Sequence, residues 1–366
     1  MIRILIADDS AFMRKVLSDL FARQPDFDVV GVAYNGKDAI AKTVKLKPDL
    51  LTLDINMPIM DGLTALEFIM KECPLPVVMI SSLTKIGADA TVKALELGAV
   101  DFINKVSGPV SGVTAIENEI LEKCRAAANS NWRLLKMSTE TQRPAVNGKA
   151  FFSTVTSPLS EVVKTDLGSR LLAAGSDKLV VIGTSTGGPR ALQQVITQLP
   201  KNLPCGVAIV QHMPPGFTKS LSERLDSLSQ VSVKEAEAND VIKPGHVYIA
   251  PGDYHMTVQK QGNSYVIALN QNPPLASHRP AVDVLFDSVV PFGNRVVSVI
   301  LTGMGSDGAK GMQKIKAAGG RVIAEDESTS VVYGMPKAVV DLGLADSVLP
   351  IQYIADAIVN SVKRVS

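Results

Sequence analysis

Short apolar runs that stop abruptly at polar or glycine residues punctuate the chain. In the first third these are Ile2–Ala7 and residues 29–33, 50–53, 77–80 and 100–103. Between them apolar residues recur at helical spacing, as at Phe12, Val16 and Leu20 in Ala11–Ala22 and again over residues 38–46. Runs without in–out alternation are buried on both faces, as strands of a parallel sheet are. Strands alternating with helices therefore predict an open, doubly wound α/β domain over residues 1–125.

The pattern returns near residue 176. Strands are expected at 179–182, 206–210, 296–301 and 321–324, with helices at 191–199, 218–228, 282–290, 309–318 and 336–342. Residues 231–234, 246–250, 256–259 and 265–269 read as a small β insertion with Pro-Gly-Asp turns. A second doubly wound domain over 176–366 follows. Between the two, residues 126–175 form a linker. A terminal helix is expected to run over 114–135, and the Ser-, Thr-, Asn-, Lys- and Pro-rich stretch 137–169 is expected to be flexible. Trp132 and the pair Phe151-Phe152 are candidate anchors onto a neighbouring domain.

A chain of 366 residues fits two cores better than one. A net charge of +1 supplies no basic field for nucleic acid. Three scattered cysteines, Cys73, Cys124 and Cys205, fit a reducing compartment and lack metal-site spacing. The start MIRILIADDS meets acids too early for a secretory signal, and no apolar run approaches the ~20 residues of a membrane helix. A cytoplasmic monomer that does not insert into membranes is the expectation.

In doubly wound sheets chemistry gathers beyond the carboxyl ends of the strands. In the first domain those ends carry Asp8, Asp9, Asp54, Ser81 and Lys105. Converging carboxylates repel one another unless a cation lies between them, and hard oxygen donors suit Mg²⁺. Asp54 is then a carboxylate nucleophile toward a phosphoryl group, Lys105 a neutraliser of the transferred oxygens, and Ser81 a hydrogen-bond donor to one of them. Helix capping accounts for any one such acid, but poorly for five polar residues at four strand ends.

In the second domain residues 178–190, KLVVIGTSTGGPR, run from a buried strand through a glycine-rich turn to Pro189, which suits a helix's first turn. The turn presents Ser185 above a helix N-terminus, where free N–H groups can hold an oxyanion. It matches G-x-S-x-G but neither G-x-G-x-x-G nor G-x-x-x-x-G-K-[ST], so a nucleotide loop is the weaker alternative. His212 and Asp307 follow two other strands, which makes Ser185, His212 and Asp307 candidates for nucleophile, base and orienting acid. Their chain order differs from that of the α/β-hydrolases. His246 and His255 are expected to be structural, His278 to line a substrate groove, and no histidine spacing suggests zinc.

Two resemblances sharpen this. IADDSAFMRK, LLTLDINMPIMDG and DFINK resemble a response-regulator receiver, a flavodoxin-like fold, along the whole first domain. The likeness implies Asp54 as phospho-acceptor, Asp8, Asp9, Asp54 and the carbonyl of Asn56 around Mg²⁺, and Ser81, Phe102 and Lys105 as switch residues. Val106 stands where many receivers have proline. IGTSTGGP, QHMPPGFT, SHRPAVDVLF and LTGMGSDGAKGM resemble the Rossmann-like catalytic domain of the CheB-type chemotaxis protein-glutamate methylesterases. That likeness implies Ser185, His212 and Asp307 as the triad, with Thr186 and Met304 flanking the site and the Met304 backbone in the oxyanion hole. Ser306 departs from the family's alanine. The implied activity is hydrolysis of glutamyl methyl esters and deamidation of glutamines on chemoreceptors, without a cofactor for hydrolysis and under control of a chemotaxis histidine kinase. A hydrolase of another acyl substrate, or a non-enzymatic adaptor, are the rivals.

Overall fold

The computed structural model describes residues 1–82, 84–105, 113–134, 178–262 and 264–363. Val106, the pair Phe151-Phe152 and residues 137–169 lie outside them.

The first domain is built of β1 (Ile2–Ala7), α1 (Ala11–Ala22), β2 (Phe27–Ala33), α2 (Gly36–Leu46), β3 (Leu50–Asp54), α3 (Gly62–Glu72), β4 (Val77–Ser81), α4 (Lys85–Leu97), β5 (Asp101–Asn104) and α5 (Val113–Ala128). The sheet runs β2-β1-β3-β4-β5 and every pairing is parallel. Every residue of β3 and β4 is buried, which is why these strands read as unbroken apolar runs. Polar residues start the helices: the side chains of Ser10, Asn35, Asp61 and Thr84 each accept from a backbone N–H of the first turn. Helix α5 ends at Ala128, short of the expected 135. There Asn129 Nδ2 and Ser130 Oγ donate to the carbonyls of Arg125 and Ala127 and turn the chain away.

The second domain contains β6 (Leu179–Thr184), α6 (Gly188–Ile196), β7 (Gly206–Gln211), α7 (Phe217–Leu228), β8 (Ser232–Glu235), β9 (His246–Ile249), β10 (His255–Gln261), β11 (Ser264–Asn270) and α8 (Val282–Val289). A 3₁₀ turn (Val290–Arg295), β12 (Val296–Ile300), α9 (Ala309–Ala317), β13 (Arg321–Glu325), α10 (Met335–Asp341), β14 (Ser347–Leu349) and α11 (Ile351–Val362) complete it. Its sheet is parallel throughout, ordered β14-β13-β12-β6-β7-β9-β8. The insertion is smaller than expected, because β8 and β9 join the main sheet and only β10 and β11 form a separate antiparallel hairpin. Strand β14 and helix α11 extend the domain beyond its last expected helix.

Strand order reverses at β1 in the first sheet and at β6 in the second. Crevices open at such switch points, outside the carboxyl ends of the strands. Asp8 follows β1, Asp54 closes β3, and Ser185 follows β6.

The two domains share an interface. Helix α4 packs against α6 and α7, and one apolar cluster joins Val92 and Leu95 to Leu221 and Leu225. Phe102 stacks on Phe217 with ring centroids 4.7 Å apart. Arg224 holds Glu96 through two hydrogen bonds of 2.6 and 3.1 Å. After α5, Asn131 N–H donates to the Val331 carbonyl, and Trp132 packs on the cluster that contains Val331.

Candidate active site

Strand β6 delivers Ser185 to the rim of the second sheet. Its N–H donates to the Thr302 carbonyl at 3.0 Å, and its own carbonyl accepts from Gly188 N–H and Gln211 Nε2. Gly187 has a φ of 78°, the left-handed region, and a Cβ there would meet Val331. A Cβ on Gly188 would lie 2.0 Å from Gln211 Oε1. The glycine pair is thus what lets α6 start directly beneath the serine.

His212 follows β7. Its Nε2 lies 2.8 Å from Asp307 Oδ2, and both side chains are only 7% exposed. Asp307 also accepts from the N–H groups of Val282 at 2.7 Å and Asp283 at 2.9 Å, at the start of α8. Burial pushes its carboxyl up, but the hydrogen bonds from His212, Asp283 and Val282 outweigh that and hold it below the usual carboxylate range. With Nε2–H given to Asp307, the lone pair sits on Nδ1, a buried atom without a hydrogen-bond partner among the described residues. A ring anchored at one nitrogen and open at the other can take a proton from a neighbouring hydroxyl. Ser185 Oγ makes no hydrogen bond to a described residue, so the His212–Asp307 pair is assembled while the serine stands unbonded.

His278 is at the site, stacked face to face on His212 at 3.9 Å between centroids. Burial first, then the neighbouring His212, lowers it to about 4, which keeps it neutral. Thr186 is buried and Met304 half-buried. Among the described residues nothing accepts from the backbone N–H of either. The Met304 loop is tied down at Gly303, whose carbonyl accepts from Gly334 and Met335. Ser306 is exposed and its extra hydroxyl makes no bond to Asp307. His246 bonds to the carbonyl of Pro244, and His255 to the carbonyl of Pro273 and the N–H of Ala281, and neither is hydrogen-bonded to Ser185, His212 or Asp307.

Sequence reasoning missed Thr302 and Glu325. Thr302 Oγ1 donates to the Thr186 carbonyl at 2.9 Å, and Thr302 N–H donates to Glu325 Oε2 at 2.7 Å. Glu325 is fully enclosed at the end of β13, and burial raises its carboxyl to about 7. An acid closing an apolar strand was the available signal.

In the first domain, oxygens of Asp8, Asp9 and Asp54 lie within 4.8 Å of one another. Asp8 and Asp54 are buried and Asp9 is exposed. Lys105 Nζ sits 2.7 Å from Asp54 and 3.4 Å from Asp8. Burial raises Asp54 to about 6, the Lys105 hydrogen bond opposing and the Asp8 charge adding to it. Asn56 N–H donates to Asp54 Oδ1 at 3.3 Å. Ser81 is turned away from Asp54: its hydroxyl donates to the Gly87 carbonyl and accepts from Thr91, both on α4. Buried Phe102 points instead into the domain interface.

The two halves match two family models, the response regulator receiver domain over residues 4–117 and CheB methylesterase over residues 180–358. A protein-glutamate methylesterase/protein-glutamine glutaminase of Symbiobacterium thermophilum is 51% identical over 364 residues, covering 99% of this chain and 97% of the relative. One of the same description from Thermotoga maritima is 47% identical over 363 residues, covering 99% and 98%. The solved catalytic domain of Thermotoga maritima CheB methylesterase is 51% identical and covers 50% of this chain and 97% of that one, at a TM-score of 0.49. A receiver joined to a methylesterase domain is the class of protein that fold and sequence define. The chain belongs to the family of protein-glutamate methylesterase/protein-glutamine glutaminases.

Proposed function

We propose that the chain is a phosphorylation-activated hydrolase that removes methyl esters from glutamyl residues of chemoreceptors, releasing methanol, and deamidates receptor glutamines to glutamates. The observation that carries the reading is the His212–Asp307 pair with its open Nδ1 on the same sheet edge as Ser185. Ser185 Oγ attacks the γ-carbonyl while His212 takes its proton. The N–H groups of Thr186 and Met304 receive the oxyanion. Methanol, or ammonia from an amide, leaves with that proton. Water, deprotonated by His212, then cleaves the acyl-serine to free glutamate and restores the hydroxyl. Asp307 fixes the imidazole tautomer and stabilises the imidazolium. His278, stacked on His212 and neutral, positions the ring without opposing its charge.

The receiver supplies control. Asp54 attacks the phosphorus of a phosphodonor, in the cell the phosphohistidine of a histidine kinase, the P–N bond breaks, the imidazole leaves, and an acyl phosphate is formed. Asp8, Asp9, Asp54 and the Asn56 carbonyl would hold Mg²⁺, for which three carboxylate oxygens lying within 4.8 Å of one another are a fitting donor set. When bound, the cation neutralises the phosphoryl oxygens. Lys105 does the same from the other side. Ser81 then leaves α4 for a phosphoryl oxygen, Phe102 follows, and the docking onto Phe217 loosens. A shift from ~1% to ~99% open requires about 5.5 kcal/mol of discrimination between the states. No described helix is long and apolar enough to cross a membrane.

The chemistry is tested by following receptor glutamines by mass spectrometry. Wild type converts them to glutamates, whereas Ser185→Ala and His212→Ala leave them unchanged with unaltered thermal unfolding. Conversion by Ser185→Ala would remove the serine from the mechanism.

A further inference from the structure

Helix α4 lies in a groove of the second domain that borders the Ser185 site. The groove runs between α6, which begins three residues after Ser185, and α7, which begins five residues after His212. Val92 and Leu95 face Leu221 and Leu225, and Glu96, one residue on, reaches Arg224 with both carboxylate oxygens. An amphipathic helix carrying an acid beside its apolar stripe thus fits this groove.

The fit is incomplete. Arg190, in the first turn of α6, lines the groove together with Arg224. Its Nη1 is buried and has no acceptor among the described residues. Burial alone draws this guanidinium down to about 10, with no carboxylate near enough to oppose the fall. A buried, charged donor without an acceptor is unfavourable, and a carboxylate satisfies a guanidinium best. Helix α4 brings one acid to a groove that has two arginines.

We propose that this groove, covered here by α4, is the docking site of the receptor's substrate helix, and that Arg190 and Arg224 each bind a carboxylate on it. The inference rests on the methylesterase reading and gives it a preference. Each hydrolysis or deamidation turns a neutral side chain into a carboxylate, so a helix already processed at one position offers a ligand to Arg190 while a neighbouring ester is cleaved. The groove then favours receptors whose remaining esters lie a helical turn from an acid. Helix α4 competes with the substrate by the same chemistry, and phosphorylation of the receiver removes it.

The test uses the full chain activated with a small-molecule phosphodonor and Mg²⁺, and methylated receptor membranes. In one receptor preparation the acids one turn to either side of the methylated position are kept; in the other they are alanine. Methanol release gives KM and kcat. Wild type should show a KM about tenfold higher on the alanine receptors, consistent with loss of a charge-assisted hydrogen bond. Arg190→Gln, which leaves Arg224 in place, should raise KM several-fold on the acidic receptors with kcat within about twofold and lose part of the acid preference and of its salt dependence, and Arg190→Lys should recover part of that preference. Glu96→Gln, which weakens docking but leaves both arginines, should keep the wild-type KM once phosphorylated. Equal KM values for wild type on the two receptors, or for wild type and Arg190→Gln on the acidic one, would overturn the groove and leave the esterase intact. A fall in kcat and thermal stability without a change in KM would make Arg190 structural and also overturn it. No methanol from wild type on either receptor would overturn the esterase reading and the groove together.

Discussion

The hydroxyl of Thr186, the residue after Ser185, donates to Asp101 Oδ2 of the receiver at 2.5 Å across the domain boundary. Both groups are buried, so this bond ties the receiver to the rim of the candidate oxyanion hole. A hydrogen bond to a charged group contributes about 1.5–3 kcal/mol, so Asp101→Ala should raise the open-to-closed ratio about 10- to 100-fold. Unphosphorylated enzyme should then release methanol faster, with a smaller further gain from phosphodonor.

Phe102→Ala should act in the same direction but more weakly. An aromatic pair at this spacing adds about 0.5–1.5 kcal/mol beyond its buried area. A roughly two- to tenfold rise in basal activity is expected, measured with phosphodonor omitted.

His278 should matter through His212. His278→Ala removes the stacked face and should lower kcat about two- to tenfold, in line with the worth of such a contact. His278→Phe, which keeps a flat ring and no charge, should restore most of the rate. A shifted acid limb of the pH–rate profile in the alanine variant would show that the imidazole has moved or been rehydrated.

Glu325 gives the second domain a pH dependence of stability. Its carboxyl is raised from 4.5 to about 7 by burial, so the folded state holds a proton that the unfolded state has released. Stability is therefore full below about pH 4.5 and declines as pH rises through 7, by about 3 kcal/mol at most. Glu325→Gln keeps an oxygen for the Thr302 N–H and cannot ionise. Its thermal midpoint should exceed wild type at pH 8 and match it at pH 4.

Much of this was legible because parallel strands buried on both faces leave unbroken apolar runs, and polar residues directly after them fall at the sheet's carboxyl edge. Asp8, Asp54, Ser185 and His212 all stand at that punctuation. Asp307 lies seven residues past Ile300, at the end of the longer polar and glycine-rich turn that follows its strand. Strands β8 and β9 were mistaken for part of an insertion because each is four residues long and partly exposed. Strand β14 is three residues long with no buried position, which erased its apolar signature. Least legible were contacts between elements remote in sequence. Nothing in the pattern around Phe217, Arg224 or Thr186 announces Phe102, Glu96 or Asp101, because these pairs exist only once two finished surfaces meet.

The central claim is that phosphorylation of Asp54 gates hydrolysis at Ser185. Methanol release from methylated receptor membranes, with and without a small-molecule phosphodonor and Mg²⁺, tests it most directly in wild type, Ser185→Ala and Asp54→Asn. The account predicts stimulated release in wild type, none in Ser185→Ala, and basal release without stimulation in Asp54→Asn. Stimulation that persists in Asp54→Asn, or release that persists in Ser185→Ala, would contradict it.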